Sequence, residues 1–283
     1  MTERVEQLRQ ALERLYAKYN RAEFIPPDPL QFLYKYSDPG DREIAGFLSA
    51  ALAYGRVGQI ERSLTNLFSR MGESPYAFVT NFDRSKRERL NGFKHRFTTG
   101  RDIADLLELL REVLDEKGSI ENYFLQGYGE KDHNIILALS NFCDSLLDRY
   151  VKRSRGGIRK GVQYLLPRPA AGSACKRLNL FLRWMVRSDD VDPGLWKSVD
   201  KAKLLVPVDV HISRLCRILG LYDRKTVSLA TAVEITQGFA EIEPADPAKY
   251  DFALSRIGIL DGCNGSYRPG CEDCELFAFC CRR

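Results

Sequence analysis

Apolar residues recur at helical spacing along almost the whole chain, and no segment shows the strict apolar–polar alternation of a half-buried strand. Val5, Leu8, Leu12, Leu15 and Tyr19 set the pattern at the start. Residues 43–54 are apolar on nearly every side, which predicts a buried helix. Amphipathic stretches follow at 58–71, 101–116, 133–150, 174–187, 210–219 and 226–239. Asp246-Pro247 has the signature of an N-cap followed by proline at the first helical position, predicting a last long helix that runs to about Leu260. The stretches 21–40, 72–100, 152–173 and 188–208 lack the pattern. The reading is an all-α protein of two lobes: residues 41–165 form a central bundle, and residues 1–40 with 166–283 form the second lobe.

A chain of 283 residues can bury one large core or two modest ones, and 44% apolar with 29% charged residues fits a soluble globular protein. The opening MTERVEQLRQ is charged, unlike a secretory leader, and the most apolar run, IAGFLSAALAY at 44–54, is too short to span a bilayer. These features predict a cytoplasmic protein, where thiols stay reduced. Five of the eight cysteines lie in the tail, and in a reducing compartment such crowding argues for a metal or cluster over disulfides.

The tail spacing is Cys263, seven residues, Cys271, two residues, Cys274, five residues, Cys280, with Cys281 as a spare. Zinc fingers and ribbons usually draw on two ligand pairs separated by a longer stretch. Four thiols within eighteen residues, with a single CxxC pair, suit an iron–sulfur cube that takes one thiolate per iron. Zinc is the alternative. Cys143, Cys175 and Cys216 read as small buried apolar residues.

From Arg149 to Ser188 the chain carries eleven Lys or Arg and no Asp or Glu. One-signed charge over that length repels itself unless a polyanion or an anionic surface neutralises it, and nucleic acid is the first candidate. A solvated basic face is the other reading.

The tail pattern, a long helix feeding a cysteine, a loop, CxxC and a last cysteine, resembles that of endonuclease III and its relatives, the helix-hairpin-helix DNA glycosylases; the first gap is one residue longer here. "VPVDVHISRLCRILGL" at 206–221 resembles that superfamily's Val-Asp-x-His segment, and "FLSAALAYGR" at 47–56 resembles its early helix, with Ala51 where those proteins carry a glutamine that wedges into DNA. "LLPRPAAGSACKRLNLF" at 165–181 is similar to the hairpin in outline, keeping Leu-Pro, one glycine and the lysine that opens the next helix. The thirty-three residues from Lys176 to Asp209 are similar to the interval in the archaeal 8-oxoguanine glycosylases. The chain also resembles a broad bacterial family of that superfamily whose function is unassigned.

The resemblance implies a two-lobed helix-hairpin-helix fold with a four-cysteine loop holding a [4Fe-4S] cluster on Cys263, Cys271, Cys274 and Cys280. It implies base excision from double-stranded DNA carrying a damaged base, an oxidised purine being the first guess, or an abasic site. Asp209 is the expected catalytic carboxylate: breaking an N-glycosidic bond builds positive charge on the sugar, which a fixed carboxylate stabilises. Taken alone, Asp209 also reads as a plain N-cap, and His211 as a satisfied core histidine. Lys176 is the expected imine-forming amine of an associated lyase; the helix N-terminus and Arg177 both disfavour a further positive charge there. Its other reading is a phosphate contact.

Backbone N–H groups around Gly172, Ser173 and Ala174 can grip a phosphate, and Arg56, Arg155, Lys160, Arg168 and Arg177 are expected to hold DNA. Trp184, Phe181 and Tyr54 are candidates to stack on an extruded base, although their spacing equally fits a core. The chain is expected to act as a monomer associated with the nucleoid. Two other classes stay open: a catalytically inactive DNA-structure-binding protein on the same scaffold, and an iron–sulfur redox sensor.

Overall fold

The computed structural model describes residues 3–154 and 156–280. Helix accounts for 61% of the chain and strand for 2%, so the protein is all-α. No helix among the described residues is long and apolar enough to cross a membrane. The chain divides into two compact units: residues 1–24, 172–194 and 200–283 form unit 1, and residues 25–171 with 195–199 form unit 2. The division falls at 24/25 and 171/172, where the sequence reading set 40/41 and 165/166, and residues 195–199 belong to unit 2.

The elements in chain order are α1 (Glu3–Tyr19), α2 (Pro39–Ala51), α3 (Val57–Met71), α4 (Pro75–Thr80), α5 (Arg84–Arg89), β1 (Lys94–His95), β2 (Thr98–Thr99), α6 (Gly100–Lys117) and α7 (Ile120–Phe124). They continue with α8 (Ile136–Arg153), α9 (Lys160–Leu165), α10 (Lys176–Val186), α11 (Val210–Ile218), α12 (Leu229–Ala240) and α13 (Asp251–Ile259), with short 3-10 turns between. Local chemistry sets several starts. Asp38 caps α2 with Pro39 at its first position. A reciprocal capping box between Thr99 and Asp102 opens α6, and Gly118 closes that helix in the left-handed conformation.

In unit 2, Glu43 is nearly buried on α2 and accepts from the N–H groups of Ile120 and Glu121 at the start of α7 (2.9 and 3.0 Å) and from Trp196 Nε1 (2.8 Å). Burial pushes its carboxyl up against those three donors. Phe124 packs on Trp196 and on Phe142 of α8.

Unit 1 is built on one apolar cluster. Leu8, Leu12 and Leu15 of α1, Ile212 and Leu215 of α11, Ile235 and Phe239 of α12, and Leu254 and Ile257 of α13 all meet there. Leu276 from the cysteine tail joins it, with Cys263, Cys274 and Phe279 packed alongside. The tail is therefore docked on the core. Tyr19 donates to Asp261 (2.7 Å) and Arg14 pairs with Glu275 (3.1 Å), which ties the tail to α1 as well.

Two sequence expectations are corrected. The last helix starts at Asp251, not at Asp246-Pro247. Asp246 is 6% exposed, and both oxygens of its carboxylate accept from Arg187 Nε (3.0 and 3.1 Å), which leaves it no role as an N-cap. The basic run is also not one-signed once folded. Arg153 pairs with Glu112 (2.9 Å), Arg159 with Asp102 and Asp105 (2.8 and 2.9 Å), Arg149 with Glu116, and Arg168 with Asp144 (3.5 Å). In unit 1, Arg183 and Arg187 are buried against Asp189, Asp192, Asp246 and Asp251. Acids outside the run supply counter-charge to these arginines.

Candidate functional site

Asp209 sits immediately before α11 in extended conformation. Its Oδ1 accepts from the N–H groups of His211 (2.8 Å) and Ile212 (2.9 Å), so the N-cap reading is correct as geometry. Its Oδ2 receives no hydrogen bond from the described residues. The side chain is half-buried and lines a cavity of about 610 Å³. That volume lies within the range of sites that hold small molecules.

The walls of the cavity are mostly apolar, from Val208, Val210, Ile218 and Val227, with polar and basic side chains set among them. Ser213, Arg214 and Arg217 come from α11, and Val227 from the approach to α12. Asn264 and Ser266 come from the loop between the first two tail cysteines. Arg214 ties these parts together: it lines the cavity and donates to the carbonyl of Cys263 (3.2 Å). Arg217 crosses the Tyr222 ring at 5.1 Å, and the Tyr222 hydroxyl bonds Ser213 Oγ (2.6 Å). Sequence reasoning missed Arg214 and Arg217. Their spacing of three on the helix that Asp209 opens was the available signal.

His211 departs from the expected satisfied core histidine. Its Nδ1 is buried with no hydrogen-bond partner among the described residues. The ring lies against Gly258 of α13 so closely that a Cβ there would stand 2.2 Å from Nδ1. Glycine is what lets α11 and α13 approach, and this contact fixes the helix that carries Asp209.

Asp209 also acts electrically on its surroundings. Burial pushes the Asp251 carboxyl up to about 6 against the pull of Arg183, and the charge of Asp209 adds to the rise. Burial likewise raises the Cys216 thiol, with Asp251 and Asp209 contributing.

The expected phosphate turn lies in unit 1. Gly172 is left-handed (φ 78°) and its carbonyl accepts from Leu229 N (3.0 Å), two residues from the cavity wall at Val227. The N–H groups of Gly172, Ser173 and Ala174 meet no acceptor among the described residues. Ser173 Oγ accepts from Cys175 N (3.1 Å), and Cys175 itself adopts φ 47° before α10. Burial pushes the Cys175 thiol up to about 11, so it is an inert packed thiol, as are buried Cys143 and Cys216.

Lys176 is half-buried at the first position of α10 and is not among the described residues lining the Asp209 cavity. Arg177 is 9% exposed and offers little surface to a ligand. Trp184 and Phe181 are core residues at 0% and 2% exposure. Ala51, at the wedge position, is buried too. Arg56 and Lys160 are exposed in unit 2, and Arg168 there is partly exposed. Arg155 and the spare Cys281 lie outside the described residues.

Cys263, Cys271, Cys274 and Cys280 all line one small apolar cavity of about 50 Å³, and all four are free thiols. Among the described residues, no group of three or more His, Cys, Asp or Glu is arranged to hold a metal ion. The donor chemistry nevertheless fits: four half-buried thiols share a cavity, and Leu276 and Phe277 shield it from water. Zinc could use the same donors.

Comparison with known proteins gives one match. No curated protein and no solved structure matches the chain. Residues 28–260 match DUF2400, described as a protein of unknown function, a span that contains Asp209 and Lys176 and stops short of the tail cysteines. The match covers well over half of the sequence, and the chain belongs to the DUF2400 family.

Proposed function

We propose that this protein is a DNA glycosylase of the helix-hairpin-helix type, acting on a damaged base in duplex DNA, with Asp209 as its catalytic carboxylate. The observation that carries the reading is the state of that side chain. One oxygen is fixed by two backbone N–H groups and the other is free at the wall of a cavity large enough for a nucleoside. The two N–H bonds hold its orientation. A carboxylate so fixed stabilises the positive charge that grows on the sugar as the base departs, with no reorganisation at that moment. Arg214 and Arg217 supply positive charge for the flanking phosphates, and the unpartnered N–H groups of Gly172, Ser173 and Ala174 suit a further one.

In this reading the four tail thiols hold a [4Fe-4S] cluster, with zinc as the alternative. The bound group supplies a crosslink that fixes the loop from Cys263 to Cys271, and so the wall formed by Asn264 and Ser266. Lys176 is the proposed imine-forming amine of an accompanying lyase step.

A second reading has a specific observation behind it. Because Lys176 does not line the Asp209 cavity, a protein that binds lesion-containing DNA on this scaffold without lyase chemistry is the alternative. Incubation of the wild-type protein with a panel of lesion duplexes, with and without borohydride, separates them. The glycosylase reading expects base release that Asp209→Asn abolishes, and a trapped adduct that Lys176→Gln abolishes. Base release with no adduct removes the lyase alone. Tight binding without turnover on any lesion favours the binding protein.

A further inference from the structure

Unit 2 holds a ring cluster that the reading of unit 1 does not use. The strands β1 and β2 form a minimal hairpin whose tip is Arg96-Phe97. Arg96 adopts φ 53°, a conformation that is uncommon for a residue with a side chain and persists only where the surroundings hold it. They do so here. His95 is fully buried, with Nδ1 2.9 Å from Ser63 Oγ and Nε2 3.0 Å from the Tyr54 carbonyl. The Tyr54 hydroxyl in turn bonds the His95 carbonyl (3.0 Å) and Thr98 Oγ1 (2.7 Å).

This frame projects Phe97 outward at 53% exposure. Tyr54 stacks against one part of the ring (5.2 Å, 24°), and Tyr164 of α9 meets it edge-on (4.6 Å, 85°). Three rings therefore support one another around a phenyl group that stays half in water. A phenyl needed only for the core would be buried.

The charges around the rings say what they can bind. Aromatic clusters often hold cations, but Arg96 already lies 5.7 Å from the Phe97 ring, and its side chain passes against Gly55, next to Arg56. Lys160 stands one turn before Tyr164 on α9, on the same face. Arg56, Arg96 and Lys160 are exposed, and no acid lies within ion-pairing distance of any of them among the described residues, unlike Arg149, Arg153 and Arg159. The nearby carboxylate of Asp102 is already held by Thr99 and Arg159. A cationic ligand would be repelled. A flat ring carried on an anionic chain would be held twice over.

We propose that the β1–β2 tip is a docking surface for single-stranded DNA, with a base stacked on Phe97 and its flanking phosphates on Arg56, Arg96 and Lys160. Base–aromatic stacking accepts any base and a basic track follows the backbone, so the surface is tolerant of sequence. The proposal goes beyond the reading of unit 1 and stands whether or not Asp209 is catalytic.

The test is fluorescence anisotropy of the full chain with a labelled oligothymidylate of about 20 nucleotides and with a blunt duplex. Phe97→Ala is expected to weaken oligothymidylate binding about ten-fold without changing thermal stability, and Phe97→Trp to retain it. Arg96→Gln is expected to reduce the salt dependence by about 0.7 of a log unit per log unit of salt. Equal binding by wild type and Phe97→Ala overturns the proposal and leaves the glycosylase reading intact. Failure of the wild-type protein to bind oligothymidylate overturns it too. Loss of base release in Asp209→Asn, with no effect of Phe97→Ala on oligothymidylate, keeps the glycosylase and removes this surface.

Discussion

Replacing Arg187 by methionine tests whether the basic run faces inward or toward a polyanion. The Arg187 side chain is 3% exposed and its guanidinium meets three carboxylates: Asp246 at 3.0 and 3.1 Å, Asp189 at 2.9 Å, and Asp192. Burial opposes its charge, and Asp192, Asp246 and Asp189 together more than reverse that effect. Methionine fills much of the same volume but leaves those acids short of counter-charge, with Asp192 fully buried. Breaking a buried pair from one side costs about 3–5 kcal/mol, and Arg183, which also reaches Asp192 (3.1 Å), places the expected loss toward the lower end. At about 2–4 °C per kcal/mol, Tm should fall by roughly 10 °C.

The loss should also depend on pH. An orphaned buried acid has its folded pKa raised above the unfolded value, so the folded state binds more protons and stability falls as pH rises through that interval. The deficit should therefore be smaller near pH 5 than near pH 8 (an expectation of sign that follows from linkage). Urea unfolding at both pH values measures it, and Asp192→Asn added to Arg187→Met should return part of the loss. A Tm shift below about 2 °C, with a change in the salt dependence of DNA binding instead, would refute the internal assignment and restore the sequence-based view of a nucleic-acid face.

Other consequences are independent of that one. Asparagine caps a helix as well as aspartate does, so Asp209→Asn should leave stability within a few tenths of a kcal/mol, whereas Asp209→Ala should cost about 1 kcal/mol, read by urea unfolding. Gly258→Ala should cost about 1–3 kcal/mol because its Cβ would meet His211 Nδ1 at 2.2 Å, and His211→Ala in the same chain should relieve it. Protein purified without air should contain about four irons per chain and be brown, and Cys274→Ala should lose both the iron and thermal stability; a colourless protein with a single zinc would replace the cluster.

Much of the helical frame is legible in the sequence, because a long amphipathic segment carries its own period. The stretch expected at 58–71 forms α3 at Val57–Met71, and that at 101–116 forms α6 at Gly100–Lys117. Six-residue helices such as α4, α5 and α9 complete fewer than two turns and leave no readable period. The false start at Asp246 and the one-signed reading of the basic run share a cause. In each, a local pattern was overridden by a partner far along the chain, Arg187 in the first and the acids of α6 in the second.

The candidate site divides in the same way. Asp209 at a helix start and the four tail thiols around one cavity were readable from motif and spacing, as was the turn at Gly172. That Asn264 and Ser266 wall the Asp209 cavity, and that Gly258 receives His211, depends on packing between segments about fifty residues apart, which no local signal encodes. The exposed Phe97 gave no periodic signal because it stands on a two-residue turn.

The most direct test of the central claim is single-turnover release of free base from a panel of lesion duplexes by wild type and Asp209→Asn, the cap-preserving variant. The account predicts release from at least one lesion by the wild type and a fall of about a hundred-fold or more in Asp209→Asn, with Tm unchanged. Equal release by the two proteins, or none from any lesion by the wild type, would contradict it.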